Sequence, residues 1–200
     1  ALREANLATQ YSDDAGFMSR AVTIAAGSLL EDRRVDEAIE EWTKLPPEVK
    51  DGGDYALKLG HLYLLNAQLD EAEESFRKAA GIMPGPAPAL EGLARVLMAR
   101  DRYDEAMVQV QDALESDPDD STRLRLLQLI AAVNIARGDR PAALAGLDRM
   151  LEAAGDEPAL LIQAGDAYMA LDELEKALAA YRQAAKSGSV PATRRLVAAL

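Results

Sequence analysis

The chain has 200 residues, 49% of them apolar, with a net charge of −12, one His and no Cys. Disulfides and thiolate metal sites are therefore excluded, and a body this acidic repels nucleic-acid phosphates and anionic lipid surfaces. Aromatics make up 4% against 39 Ala, and β-branched runs are few, so the composition favours helices over a large sheet.

Residues 1–18 come first. ALREANLA predicts a helix, read as a remnant of an earlier repeat, and ALREANLATQYSDD has neither the basic nor the apolar region of a signal peptide. From residue 19 a period of 34 sets in. The DEA triplets end at Ala38, Ala72 and Ala106; Ala26, Gly60 and Ala94 precede them at the same interval, and Trp42, Phe76 and Val110 follow. Beyond Pro118 the register slips by three residues through DDSTR and then resumes, pairing Ala131 with Gly165, Ala143 with Ala177 and Leu147 with Tyr181. Five units result: 19–52, 53–86, 87–120, 124–157 and 158–191. The last stretch, 192–200, starts where a sixth unit would start and reads equally as a capping helix or a truncated sixth repeat. The densest apolar run, 126–136, is interrupted by Gln128 and Asn134 and falls short of the roughly 18 residues a membrane span needs, so no direct membrane insertion is expected.

Each unit predicts two helices, over its positions 2–14 and 18–31. Position 8 (Ala26, Gly60, Ala94, Ala131, Gly165) and position 20 (Ala38, Ala72, Ala106, Ala143, Ala177) hold only Ala or Gly, which lets two helices cross closely. Position 24 (Trp42, Phe76, Val110, Leu147, Tyr181) fills the space between units. Asp36, Asp70 and Asp104 at position 18 are expected to cap the second helices and meet their dipoles. In the fourth unit Gly138 stops the first helix, Asp139 caps the next and Pro141 enters its first turn. MPGPAP (83–88) predicts a turn between units.

Leu59, Gly60, Tyr63, Ala72, Phe76, Ala79 and Pro84 resemble the tetratricopeptide repeat, as do Ala164, Gly165, Tyr168, Ala177, Tyr181 and Ala184. The resemblance covers about 170 of the 200 residues. It departs at position 4, where no large aromatic stands, and at the closing Pro, which units one, four and five lack. It implies an all-α, right-handed superhelical solenoid of helix-turn-helix repeats without catalytic residues, cofactor or metal.

The resemblance also implies a concave groove lined by positions 2, 5, 9, 12 and 13 of the first helices. Position 12 is apolar throughout: Leu30, Leu64, Met98, Ile135 and Met169. His61, Arg95 and Asp166 stand at position 9, Arg125 at position 2 and Gln128 at position 5. Half the weight for the apolar stripe lies with packing between first helices, half with a surface for a peptide or amphipathic helix, to which two Met would lend adaptability. Arg95 and Arg125 could together hold a carboxylate, or Arg95 could pair along its own helix with Glu91. No Asn occupies position 9, so the clamp that some family members use for chaperone tails is not supported.

The sequence contains no HExxH, GxSxG or P-loop, and SDPDDSTR lacks the Gly and terminal Glu of an EF-hand loop. The expected function is a non-catalytic scaffold that binds a peptide or helical segment of another protein. The alternative is an assembly or regulatory module of a larger bacterial protein, either an enzyme or cell-envelope secretion or export machinery. Self-association through the solenoid ends is a third reading. These residues do not distinguish cytoplasm from periplasm.

Overall fold

The computed structural model describes residues 15–200, so the expectation for residues 1–14 lies outside it. The elements are α1 (Ala15–Glu31), α2 (Val35–Thr43), α3 (Pro47–Lys50), α4 (Gly53–Leu65), α5 (Leu69–Ile82), α6 (Ala87–Ala99), α7 (Tyr103–Glu115), α8 (Asp120–Arg137), α9 (Arg140–Ala154), α10 (Pro158–Ala170), α11 (Leu174–Lys186) and α12 (Val190–Ala199). No strand occurs among the described residues, and the architecture is an all-α array of helix pairs. The chain divides into two compact units, Ala1–Asp117 and Pro118–Leu200.

One turn geometry recurs in all five repeats. Position 15 has a positive φ each time: Arg33 (60°), Ala67 (57°), Asp101 (58°), Gly138 (78°) and Asp172 (57°). The following N–H then reaches back to the carbonyl five residues earlier: Arg34 to Leu29 at 2.8 Å, and Gln68 to Tyr63, Arg102 to Leu97, Asp139 to Asn134 and Glu173 to Tyr168 at 2.9 Å. This bond satisfies a carbonyl that the end of the first helix leaves open, and it fixes the angle at which the second helix starts.

Within the first unit α4 packs on α5, α5 on α6 and α6 on α7; within the second, α8 packs on α9, α9 on α10, α10 on α11 and α11 on α12. The small side chains lie where the pattern places them. Ala38, Ala72, Ala106, Ala143 and Ala177 are wholly buried. Phe76, also wholly buried, lies between two glycines: a Cβ on Gly60 would come within 2.8 Å of its ring, and a Cβ on Gly92 of the next repeat would overlap it. Tyr181 stands against Gly165 in the same way.

Three local expectations need correction. First, the acids at position 18 do not cap. Arg34, Gln68 and Arg102 occupy the N-cap positions without a side-chain cap bond. Asp36 instead accepts from Asn66 of the next repeat at 2.7 Å, and Asp70 pairs with Arg100 of the repeat after. These carboxylates meet the helix dipole and also tie neighbouring repeats together. Buried Glu73 adds to the second tie, with Arg77 at 2.5 Å, Arg102 at 3.3 Å and Arg100 at 3.4 Å. The fourth repeat does follow expectation, since Asp139 accepts from the Ala142 N–H at 3.1 Å.

Second, the second helix of the first repeat does not run to position 31. It ends at Thr43, and Pro46–Pro47 start a separate single turn, α3. Proline lacks the N–H that would continue the helix, and its ring disfavours helical geometry in the residue before it. Third, α8 begins at Asp120, so most of the register slip lies inside a longer helix. Asp119 caps that helix, and hydrogen bonds from the Ser121 hydroxyl and then from Thr122 hold its carboxyl well below the usual carboxylate range.

Candidate functional site: a cleft between the first two repeats

The first helices of the first unit are α1, α4 and α6. Leu30, Leu64 and Met98, their residues at position 12, are each half-buried. Their inner edges pack, and their outer edges remain accessible. In the second unit Ile135 is half-buried and Met169 is 39% exposed.

The charged and polar members of the expected groove are mostly engaged. Arg95 donates to Glu91 at 2.8 Å along α6, so its guanidinium is tied to its own helix. Arg125 donates to the Ser121 and Thr122 hydroxyls at 3.3 and 2.9 Å. Asp166 accepts from the Tyr181 hydroxyl at 2.7 Å and from Arg195 of α12 at 2.6 Å, which makes it a tie between helices. Gln128 is half-buried. His61 is exposed and lies edge-on to Phe76, with ring centroids 5.0 Å apart.

Leu30 and His61 meet at one place. The Cα atoms of α1 and α4 stay more than 8 Å apart throughout, whereas those of α4 and α6 approach more closely. The same separation holds between α8 and α10. Between α1 and α4, the short helix α3 packs against both. The gap is a cleft of about 280 Å³ whose walls include Gly27, Leu30, Trp42, His61, Leu62 and Leu65, with Lys58 at its edge. Leu65 is 67% exposed. The Lys58 ammonium lies 5.1 Å from the Trp42 ring centroid, a cation–π distance. Beyond this Trp42–Lys58 ridge lies a second hollow of about 300 Å³, bordered by Ser19, Gly52, Asp54 and Tyr55. Leu64, the expected stripe residue, is not part of the cleft; its neighbour Leu65 is.

Two family profiles described as tetratricopeptide repeat match residues 63–130 and 158–187. The chain is a tetratricopeptide repeat protein. No curated protein matches it in sequence. Its fold is similar to that of TTC0263, a thermophilic TPR protein in Thermus thermophilus, at 19% identity and a TM-score of 0.70 over 90% of this chain and 97% of that one. It is also similar to PilF of Pseudomonas aeruginosa (18% identity, TM-score 0.68, 85% of this chain and 76% of that one). PilW, described as a widely conserved type IV pilus biogenesis factor, aligns at 21% identity and a TM-score of 0.67 over 93% and 78%. At these identities the likeness is one of fold.

In this tetratricopeptide repeat protein the matched segments begin at residue 63, so α1, α2 and α3 lie outside them. The first repeat, which contributes Gly27, Leu30 and Trp42 to the cleft, thus lies outside the matched segments, as does most of the fourth. Of the expected groove residues, Leu30 and His61 line the cleft; Lys58 and Leu65, which also line it, were not among them, and Trp42 was expected only to fill space between units. The available signal was the single Trp followed four residues later by Pro46–Pro47.

A further titratable cluster ties two repeats together. The Tyr168 hydroxyl donates to Asp148 at 2.6 Å, and Lys176 donates to the same carboxylate at 2.8 Å, which joins the fourth repeat to the fifth. Burial, and then Asp148, push the Tyr168 phenol up; Lys176, and then Tyr168, hold Asp148 below its ordinary value. Among the described residues no group of three or more His, Cys, Asp or Glu could hold a metal ion, and no helix is long and apolar enough to cross a membrane.

Proposed function

We propose that this tetratricopeptide repeat protein is a non-catalytic scaffold that binds a segment of another protein along the accessible face of its first helices. The supporting observation is that packing leaves position-12 side chains partly open in each unit: half-buried Leu30, Leu64 and Met98 in the first, half-buried Ile135 and exposed Met169 in the second. Apolar surface of this kind suits helix-in-groove or extended-peptide recognition. On this reading the polar residues of the face are His61 and Arg95 in the first unit and Arg125, Gln128 and Asp166 in the second, and Arg95, Arg125 and Asp166 are engaged in bonds within their own units.

The test is affinity capture of partners from the source cells with the intact protein and with Leu65→Asp and Met169→Asp. Both side chains are exposed, so both variants should keep the helical circular dichroism spectrum. Partners lost with either variant support the reading. Full retention of every partner by the double variant would sink it.

A further inference from the structure

The cleft between α1 and α4 has a specific chemistry, and three observations define its occupant. The first is size. At about 280 Å³ it lies just under the roughly 300–1,000 Å³ of small-molecule sites and is suited to one bulky side chain with its backbone. The walls that would receive that side chain are Leu30, Leu62, Leu65 and the Trp42 ring.

The second observation is Gly27. It is an exposed glycine inside α1, and a Cβ placed on it meets nothing within 4 Å. Glycine weakens a helix interior relative to alanine, and no packing contact accounts for it here. Its missing side chain leaves a flat wall where a partner's backbone can lie against the helix.

The third is charge. Among the described residues lining the cleft, Lys58 is the charged one, and it pairs with no carboxylate among the described residues. In a chain of net charge −12, Arg95 and Arg100 on the neighbouring repeat are both paired with acids. Lys58 is instead held over the Trp42 ring at the mouth.

From these we infer that the cleft is a docking pocket for a peptide segment of a partner protein that presents one bulky apolar side chain beside a carboxylate. The apolar side chain enters between α1 and α4, its backbone passes over Gly27, and the carboxylate meets Lys58. This rests on the scaffold reading and specifies the chemistry of one of its subsites.

A random peptide-display library selected on the intact protein tests it, in parallel with Gly27→Leu, which fills the cleft. Gly27→Leu adds its side chain into open space and replaces the poorer helix former, so its melting temperature should not fall. The expected enrichment is Phe, Trp, Leu or Met within two residues of Asp or Glu. Synthetic peptides from that pool should bind the intact protein saturably by fluorescence anisotropy, and at least about tenfold more weakly in Gly27→Leu. Lys58→Gln should weaken the acidic peptide by about two- to fivefold and leave its Asn or Gln counterpart unchanged. Enriched peptides that bind Gly27→Leu equally well overturn the pocket assignment while leaving the scaffold reading intact. Enrichment without an acidic residue overturns the role of Lys58. Failure to enrich any peptide removes peptide recognition altogether. Light scattering that shows self-association abolished by Gly27→Leu would make a second copy the occupant and overturn the proposal.

Discussion

Gly92→Ala is the sharpest test of how the repeats are packed. On an exposed helix the change would stabilise by about 1 kcal/mol, because alanine is the better helix former. Here the new methyl would overlap the Phe76 ring. The ring is closely bounded on the side of Gly60 as well, where a Cβ would be only 2.8 Å off. Overpacking of this kind costs roughly 1–3 kcal/mol, so the net expectation is a loss of about 1 kcal/mol. Phe76→Val removes the obstruction; Val110 already fills the equivalent place in the next repeat. In that background Gly92→Ala should become stabilising, by up to about 1 kcal/mol. Urea unfolding of the four proteins, followed by helical circular dichroism, gives the double-mutant cycle. The reasoning is refuted if Gly92→Ala stabilises the parent protein, or if the coupling between the two sites is below about 0.5 kcal/mol.

Ala67→Gly should raise the urea midpoint. Ala67 holds φ at 57°, which costs an L-residue roughly 1–2 kcal/mol, offset in part by the greater freedom of glycine in the unfolded chain, for a net gain of about 0.5–1 kcal/mol. Asp148→Ala should cost roughly 1–3 kcal/mol by leaving the buried Tyr168 hydroxyl without its acceptor, while Asp148→Asn, which keeps an acceptor, should cost less. Because Asp148 titrates lower when folded than when unfolded, its ionic contribution is present above the unfolded value near about 4 and is lost as the pH falls through the folded one. The gap between parent and Asp148→Asn in pH-dependent urea melts should therefore close below about pH 4, and a gap that widens there contradicts the assignment. Replacing Pro46 and Pro47 together by alanine should extend α2 past Thr43, seen as helical NMR secondary shifts over residues 44–50; unchanged shifts would mean that the prolines do not end that helix.

The repeat was legible because its two strongest constraints are written in side-chain size. Ala38, Ala72 and Ala106 must be small to let helices cross, and Trp42, Phe76 and Val110 must be large to fill what lies beyond. The turn at position 15 was not legible. Its left-handed backbone is imposed by hydrogen bonds, and four of its five residues are not glycine. Asp36 and Asp70 carried a true signal for a helix start, but their partners Asn66 and Arg100 lie on the next repeat, out of reach of any local rule. The stripe at position 12 was read correctly as apolar, but how much of each residue packing covers depends on the separation of helices. Leu65 and not Leu64 lines the cleft.

The first repeat also breaks an exchange of size that the other repeats keep. Where position 24 carries a ring, position 8 gives up its side chain: Phe76 faces Gly60, and Tyr181 faces Gly165. Where position 24 is aliphatic, position 8 can be alanine, as with Val110 and Ala94 or Leu147 and Ala131. The first repeat breaks the rule, since the largest ring, Trp42, shares its repeat with Ala26. Position 6 of the following repeat differs in step: Gly92 closes over Phe76, whereas Lys58 sits over Trp42. No Cα of α1 comes within 8 Å of α4, as is also true of α8 and α10, and between α1 and α4 the short helix α3, begun by Pro46 and Pro47, packs against both. Trp42, the proline pair and Lys58 thus depart together from the pattern of the next repeat, and apolar walls and a cation stand together at the surface.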